Sequence, residues 1–177
     1  MSLYTHFSNK EELLDLMYQE LSRRIYEDED NGTWQDELLA LSRRVHRTLG
    51  EHHRWIDLLA RSTPPTPVPM RERVLGLMVE DGLAPDVAMR GFSAVILSAI
   101  GLVLVNLSMS GTKGKVTLAS RYARVKAAFD NTPDMEGAVT RLALSKVERF
   151  DFERQLEFSI RTLIAGLEMN RAPGSAG

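Results

Sequence analysis

Residues 2–14 read SLYTHFSNKEELL, and two kinds of chain meet inside them. The first half is short and aromatic, with Leu3 and Phe7 spaced to share one helical face. The second half is a capping box, in which Ser8 is placed to accept from the third helical N–H and Glu11 to reach back. An amphipathic helix follows over about 9 to 28, with Leu13, Leu14, Met17, Tyr18, Leu21 and Ile25 on its apolar face. SLYTHF therefore reads as the last turn or two of an earlier helix packed against a long one.

The remainder of the chain reads as helix, and no run sustains the two-residue alternation of a strand. Thr33 is the expected N-cap of a second helix carrying Leu38, Leu41, Val45, Leu49, His52, Ile56 and Leu59, with a break near Gly50. The four prolines of STPPTPVP, residues 62–69, remove backbone donors and clash with any preceding turn. A helix over about 70 to 81 should end at Gly82, and Pro85 suits the first turn of the next, running to about 109. Helices follow over about 117 to 129, 134 to 146 and 151 to 170, the last capped by Asp151. The expectation is an all-α chain of about eight or nine helices.

Composition narrows the function. The 177 residues carry a net charge of −2 and no cysteine, which excludes a uniformly basic nucleic-acid coat, disulfides and thiolate metal sites. No signal peptide heads the sequence, so a cytoplasmic location is expected. GFSAVILSAIGLVLVNLSMSGT, residues 91–112, is uncharged and long enough to span a bilayer. Its serines, Asn106 and the lack of aromatic anchors at its far end favour instead the centre of a helical core or a dimer interface. His46, His52 and His53 do not converge on one helix face; His52 is expected to point inward and the other two into solvent. No nucleophile elbow or phosphate loop is present, so neither an enzyme, a metal nor a cofactor is expected.

LYTHFSNKEELLDLM, residues 3–17, resembles the junction of recognition helix and first core helix in TetR-type (tetracycline-repressor-like) bacterial regulators. That junction runs Leu-Tyr-x-His-Phe or Val, two residues, Lys, then a Leu-Leu helix. WQDELLALSRRVHRTLGEHHR, RSTPP, GFSAVILSAIGLVL and FERQLEFSIRTLIAGLE resemble the C-terminal core of the same family in order and spacing. The resemblance implies a multi-helix TetR-type regulatory domain that dimerises through a four-helix bundle. Residues 1–8 would be the remnant of a helix-turn-helix whose first two helices are absent here, 9–171 the effector-binding and dimerisation domain, and 172–177 a disordered tail.

Further expectations follow from the resemblance. Tyr4, Thr5, His6 and Lys10 would contact operator DNA in a protein with a complete head, while Leu3 and Phe7 pack the junction. The homodimer would form through helices 85–109 and 151–170. The family's histidine and carboxylate ligands for magnesium–tetracycline fall near Leu59, Leu97 and Val105, whose aliphatic side chains cannot ligate magnesium. The implied effector is a small, mostly apolar molecule that lowers operator affinity. Its candidate contacts are Tyr26, Val45, Trp55, Leu59, Thr63, Val74, Met78, Phe92 and Ile96, although for any one of them taken singly the pattern favours core filling over ligand contact. The alternative is an autonomous helical ligand-binding or protein-interaction domain with no DNA role.

Overall fold

The computed structural model describes residues 10–27, 31–52, 69–110, 118–132, 137–146 and 151–172, with side chains 107–110 and 118–119 excepted. These form helices α1 (Lys10–Ile25), α2 (Trp34–Glu51), α3 (Pro69–Glu80), α4 (Pro85–Ser110), α5 (Leu118–Asp130), α6 (Ala138–Lys146) and α7 (Phe152–Glu168). No strand occurs among the described residues.

The expected caps form as local chemistry dictates. The Thr33 hydroxyl accepts from the Asp36 N–H at 3.2 Å and donates to the Asp36 carboxylate at 2.7 Å. Asp151 Oδ1 accepts from the N–H groups of Glu153 and Arg154 at 3.0 and 3.2 Å. α3 ends in a Schellman motif, with Gly82 at φ 91°, its N–H on Val79 O, and the Leu83 N–H on Met78 O. α2 runs through Gly50 to Glu51 before it stops, so the helix extends just past the expected break.

One core unites α1, α2, α3, α4 and α7. α2 is its centre, packed on α1, α3, α4 and α7, and α4 packs on both α2 and α7. Leu38, Leu41, Val45 and Leu49 of α2 meet Met70, Val74 and Met78 of α3. The fourth wall is Ala88, Phe92, Val95, Ala99 and Val103 of α4, with Leu156, Ile160 and Ile164 of α7. Only the end of α1, Leu21 and Ile25, is fully buried; Leu13, Leu14, Met17 and Tyr18 are partly covered. α5 and α6 pack on each other, and α5 also touches α4.

α4 is long and apolar enough to cross a bilayer by length and composition. In this fold a stripe at three- and four-residue spacing makes it a core helix, while Leu97, Leu104 and Val105 stand on its exposed side.

Candidate functional site: the apolar core and a lateral groove

Of the nine expected effector contacts, Val45, Val74, Met78 and Phe92 come together in the closed core, with Tyr26 and Ile96 packed against its edge. Trp55, Leu59 and Thr63 lie outside the described residues, as do Tyr4, Thr5, His6 and His53. Lys10 is exposed at the start of α1. Burial pushes the Tyr26 phenol pKa up and nearby Tyr18 adds to it, while Arg71 opposes. Tyr26 thus offers a neutral hydroxyl at the border of an apolar region, the kind of polar group that orients a small ligand. Of the positions matched to the family's metal ligands, Leu97 and Val105 face outward from α4 rather than into the core. Among the described residues no cluster of three or more His, Asp or Glu is placed to hold a metal ion.

Polar groups enter the core where the sequence does not mark them. Glu37 is fully buried; its carboxylate takes the Asn31 N–H at 2.8 Å, Asn31 Nδ2 at 3.2 Å and the Arg73 guanidinium. Arg44 is buried as well, donating through Nε to Ile25 O at 3.1 Å. At the far end of the bundle, Trp34 Nε1 donates to Asp81 Oδ2 at 2.5 Å and Arg171 reaches the same oxygen at 2.7 Å. Arg171 also lies 5.8 Å above the Trp34 ring. Ala172, first residue of the expected disordered tail, donates its N–H to Gly82 O at 3.0 Å, so order persists to that point. This knot joins the start of α2, the α3–α4 turn and the end of α7.

His46 departs from expectation. It is half-buried rather than solvated, its ring stacked on Phe152 with centroids 4.8 Å apart and planes at 21°. Burial lowers its pKa, against an opposing pull from Glu153. His52 is half-buried at the end of α2, with Nε2 3.4 Å from Arg24 Nη1. A groove of about 530 Å3 opens beside His46, between the second half of α2 and the first turns of α7. Arg43 and Arg47 form one wall, Glu153 and Glu157 the other. Their four-residue spacing on two helices was the available sequence signal, but the pairing of the helices was not.

With this geometry in hand, comparison with known proteins identifies the chain. The family described as tetracyclin repressor-like, C-terminal domain, matches residues 27–171. No curated protein matches the sequence. The structure is similar to that of the transcriptional regulator SCO7222, a TetR from Streptomyces coelicolor, at a TM-score of 0.69 and 18% identity, covering 97% of this chain and 82% of that one. It is also similar to a possible TetR family transcriptional regulator from Streptomyces coelicolor A3(2), at a TM-score of 0.66 and 23% identity, covering 96% and 82%. These structural likenesses establish the all-helical fold. The family match, spanning every helix from α2 to α7, establishes membership: the chain belongs to the tetracyclin repressor-like C-terminal domain family.

Proposed function

We propose that the chain is the effector-binding and dimerisation part of a TetR-type transcriptional repressor. A small, mostly apolar effector enters the core bordered by Tyr26, Val45, Val74, Met78, Phe92 and Ile96, together with Trp55, Leu59 and Thr63. The observation that carries this reading is the family match over residues 27–171. Effector binding shifts the protein between two arrangements of its DNA-reading heads, so that ligand and operator weaken one another's binding. α1 is the transmitting element, because its last turns are buried against α2 while its start at Lys10 is exposed. In a protein with a complete head, Tyr4, Thr5, His6 and Lys10 take phosphates and base edges of a palindromic operator. The protein works in the cytoplasm.

Two copies pair through α4 and α7. Support comes from apolar side chains that a solitary protomer leaves in water on both helices: Leu97, 68% exposed, with Leu104 and Val105 on α4, and Phe158, also 68% exposed, on α7. Gly101 of α4 and Gly166 of α7 have open space where a Cβ would stand, leaving room for a second backbone to approach. A two-fold axis through this surface makes a self-complementary four-helix contact. Light scattering tests the pairing, and a thermal-shift screen of apolar compounds tests the pocket. A protomer unmoved by every compound would contradict the effector reading.

A further inference from the structure

The lateral groove holds charges that the effector core does not use. α2 and α7 run antiparallel, as the contacts Gln35–Glu168, Arg43–Glu157 and His46–Phe152 require. Along each helix the next charged residue of the groove lies four positions on, Arg47 after Arg43 and Glu153 before Glu157. The first rung, Arg43 to Glu157, is closed at 3.4 Å, and Arg161 holds Glu157 from the other side at 2.7 Å. The next rung would be Arg47 with Glu153. Both side chains line the groove, yet among the described residues they form no ion pair with each other or with any other group.

The groove as a whole has the size of a small-molecule site, about 530 Å3 against the usual range of about 300–1,000 Å3. Its floor is Leu39, Leu156 and the His46 ring, flanked by Phe152. Burial favours the neutral imidazole, so His46 adds no charge that would bias the floor toward an anion. A purely anionic ligand would meet Glu153 and Glu157; a purely cationic one would meet Arg43 and Arg47. Only a molecule bearing both signs completes the open rung.

We propose that this groove binds a small zwitterion of the α-amino-acid class, with its carboxylate on Arg47 and its ammonium on Glu153. The site is separate from the effector core and does not depend on the regulator reading. Glu51, one turn beyond Arg47 on the same wall, supplies a second carboxylate within the groove for the ammonium. Leu39 and Leu156 close the bottom of the groove but are only 6% and 2% exposed, so the two charged groups of the ligand carry the recognition. Because the charges are partly solvated, binding is weak and selectivity rests on having both groups.

The test is nitrogen–proton NMR of the whole chain titrated with free L-leucine. The expected result is saturable movement of the amides of Arg47, Gly50 and Glu153, with a dissociation constant on the order of 1 mM. N-acetyl-L-leucine, which lacks the ammonium, and L-leucinamide, which lacks the carboxylate, should each bind about fivefold more weakly. Arg47→Gln and Glu153→Gln, both at exposed positions, should each cause a similar loss. Equal binding of N-acetyl-L-leucine would make this an anion site and overturn the proposal. So would unchanged binding in either variant, or no saturable movement, the outcome expected if Arg47 and Glu153 close on each other.

Discussion

Removing one partner of the Glu37–Arg73 pair should expose an asymmetry that follows directly from burial. Glu37 has no solvent-exposed side-chain surface, whereas the Arg73 side chain is 28% exposed. Breaking a fully buried pair costs about 3–5 kcal/mol, mostly because the surviving charge stays out of water. In Glu37→Gln the survivor is Arg73, which turns toward solvent, so the loss should fall to about 2 kcal/mol. In Arg73→Gln the survivor is a buried carboxylate held by Asn31, so the loss should reach about 3 kcal/mol or more. The assay is urea unfolding at neutral pH and fixed protomer concentration, comparing midpoints at constant slope. Burial alone would push the Glu37 pKa up, but the Arg73 guanidinium and the two Asn31 donors outweigh it and hold the carboxyl below its usual 4.5. The stabilisation is therefore present above about pH 4.5 and lost as acid protonates the folded carboxyl, a dependence Glu37→Gln should remove. Equal losses in the two variants, or losses under about 0.5 kcal/mol, would refute the reasoning.

Other perturbations test other links. His46, with its pKa lowered by burial, is neutral in the fold, so stability should fall as pH drops below its ordinary 6.5 and proton uptake favours the unfolded chain. That window lies above the Glu37 window, and His46→Gln should flatten the unfolding midpoint across it. Met78→Ala, at a fully buried site, should cost about 3 kcal/mol in urea unfolding, while Met169→Ala on the surface stays within about 0.5 kcal/mol. A Cβ on Gly91 would stand 2.5 Å from Leu167 Cδ2. Gly91→Ala should therefore lose about 1 kcal/mol net despite a helix-propensity gain of similar size, and Leu167→Ala should relieve it in a double-mutant cycle. Leu97→Glu should leave helicity by circular dichroism intact while preventing association, because that side chain faces outward from the protomer.

Caps and apolar stripes were legible in the sequence because their chemistry is local. Thr33, Asp151 and Gly82 each satisfy backbone groups within a few residues, so neighbouring sequence is enough to identify them. The second buried face of α2 was not legible. Glu37 and Arg44 look like solvated charges until Arg73 and Ile25 O arrive from other helices to receive them. His46 was misjudged for the same reason, since Phe152 lies on α7, more than a hundred residues along the chain. The open rung of Arg47 and Glu153 depends on the register of two helices, which no single stretch encodes. The candidate effector residues illustrate the opposite limit. Val45, Val74, Met78 and Phe92 do meet, but residues that fill a core and residues that line a pocket share one apolar pattern.

The claim that α4 and α7 carry a symmetric interface can be tested by the molecular mass of the chain in solution. Light scattering across a dilution series should return twice the protomer mass of 19.9 kDa, falling to one protomer in Leu97→Glu. A wild-type mass of 19.9 kDa throughout the series would contradict the account, leaving Leu97 and Phe158 in water with no partner to cover them.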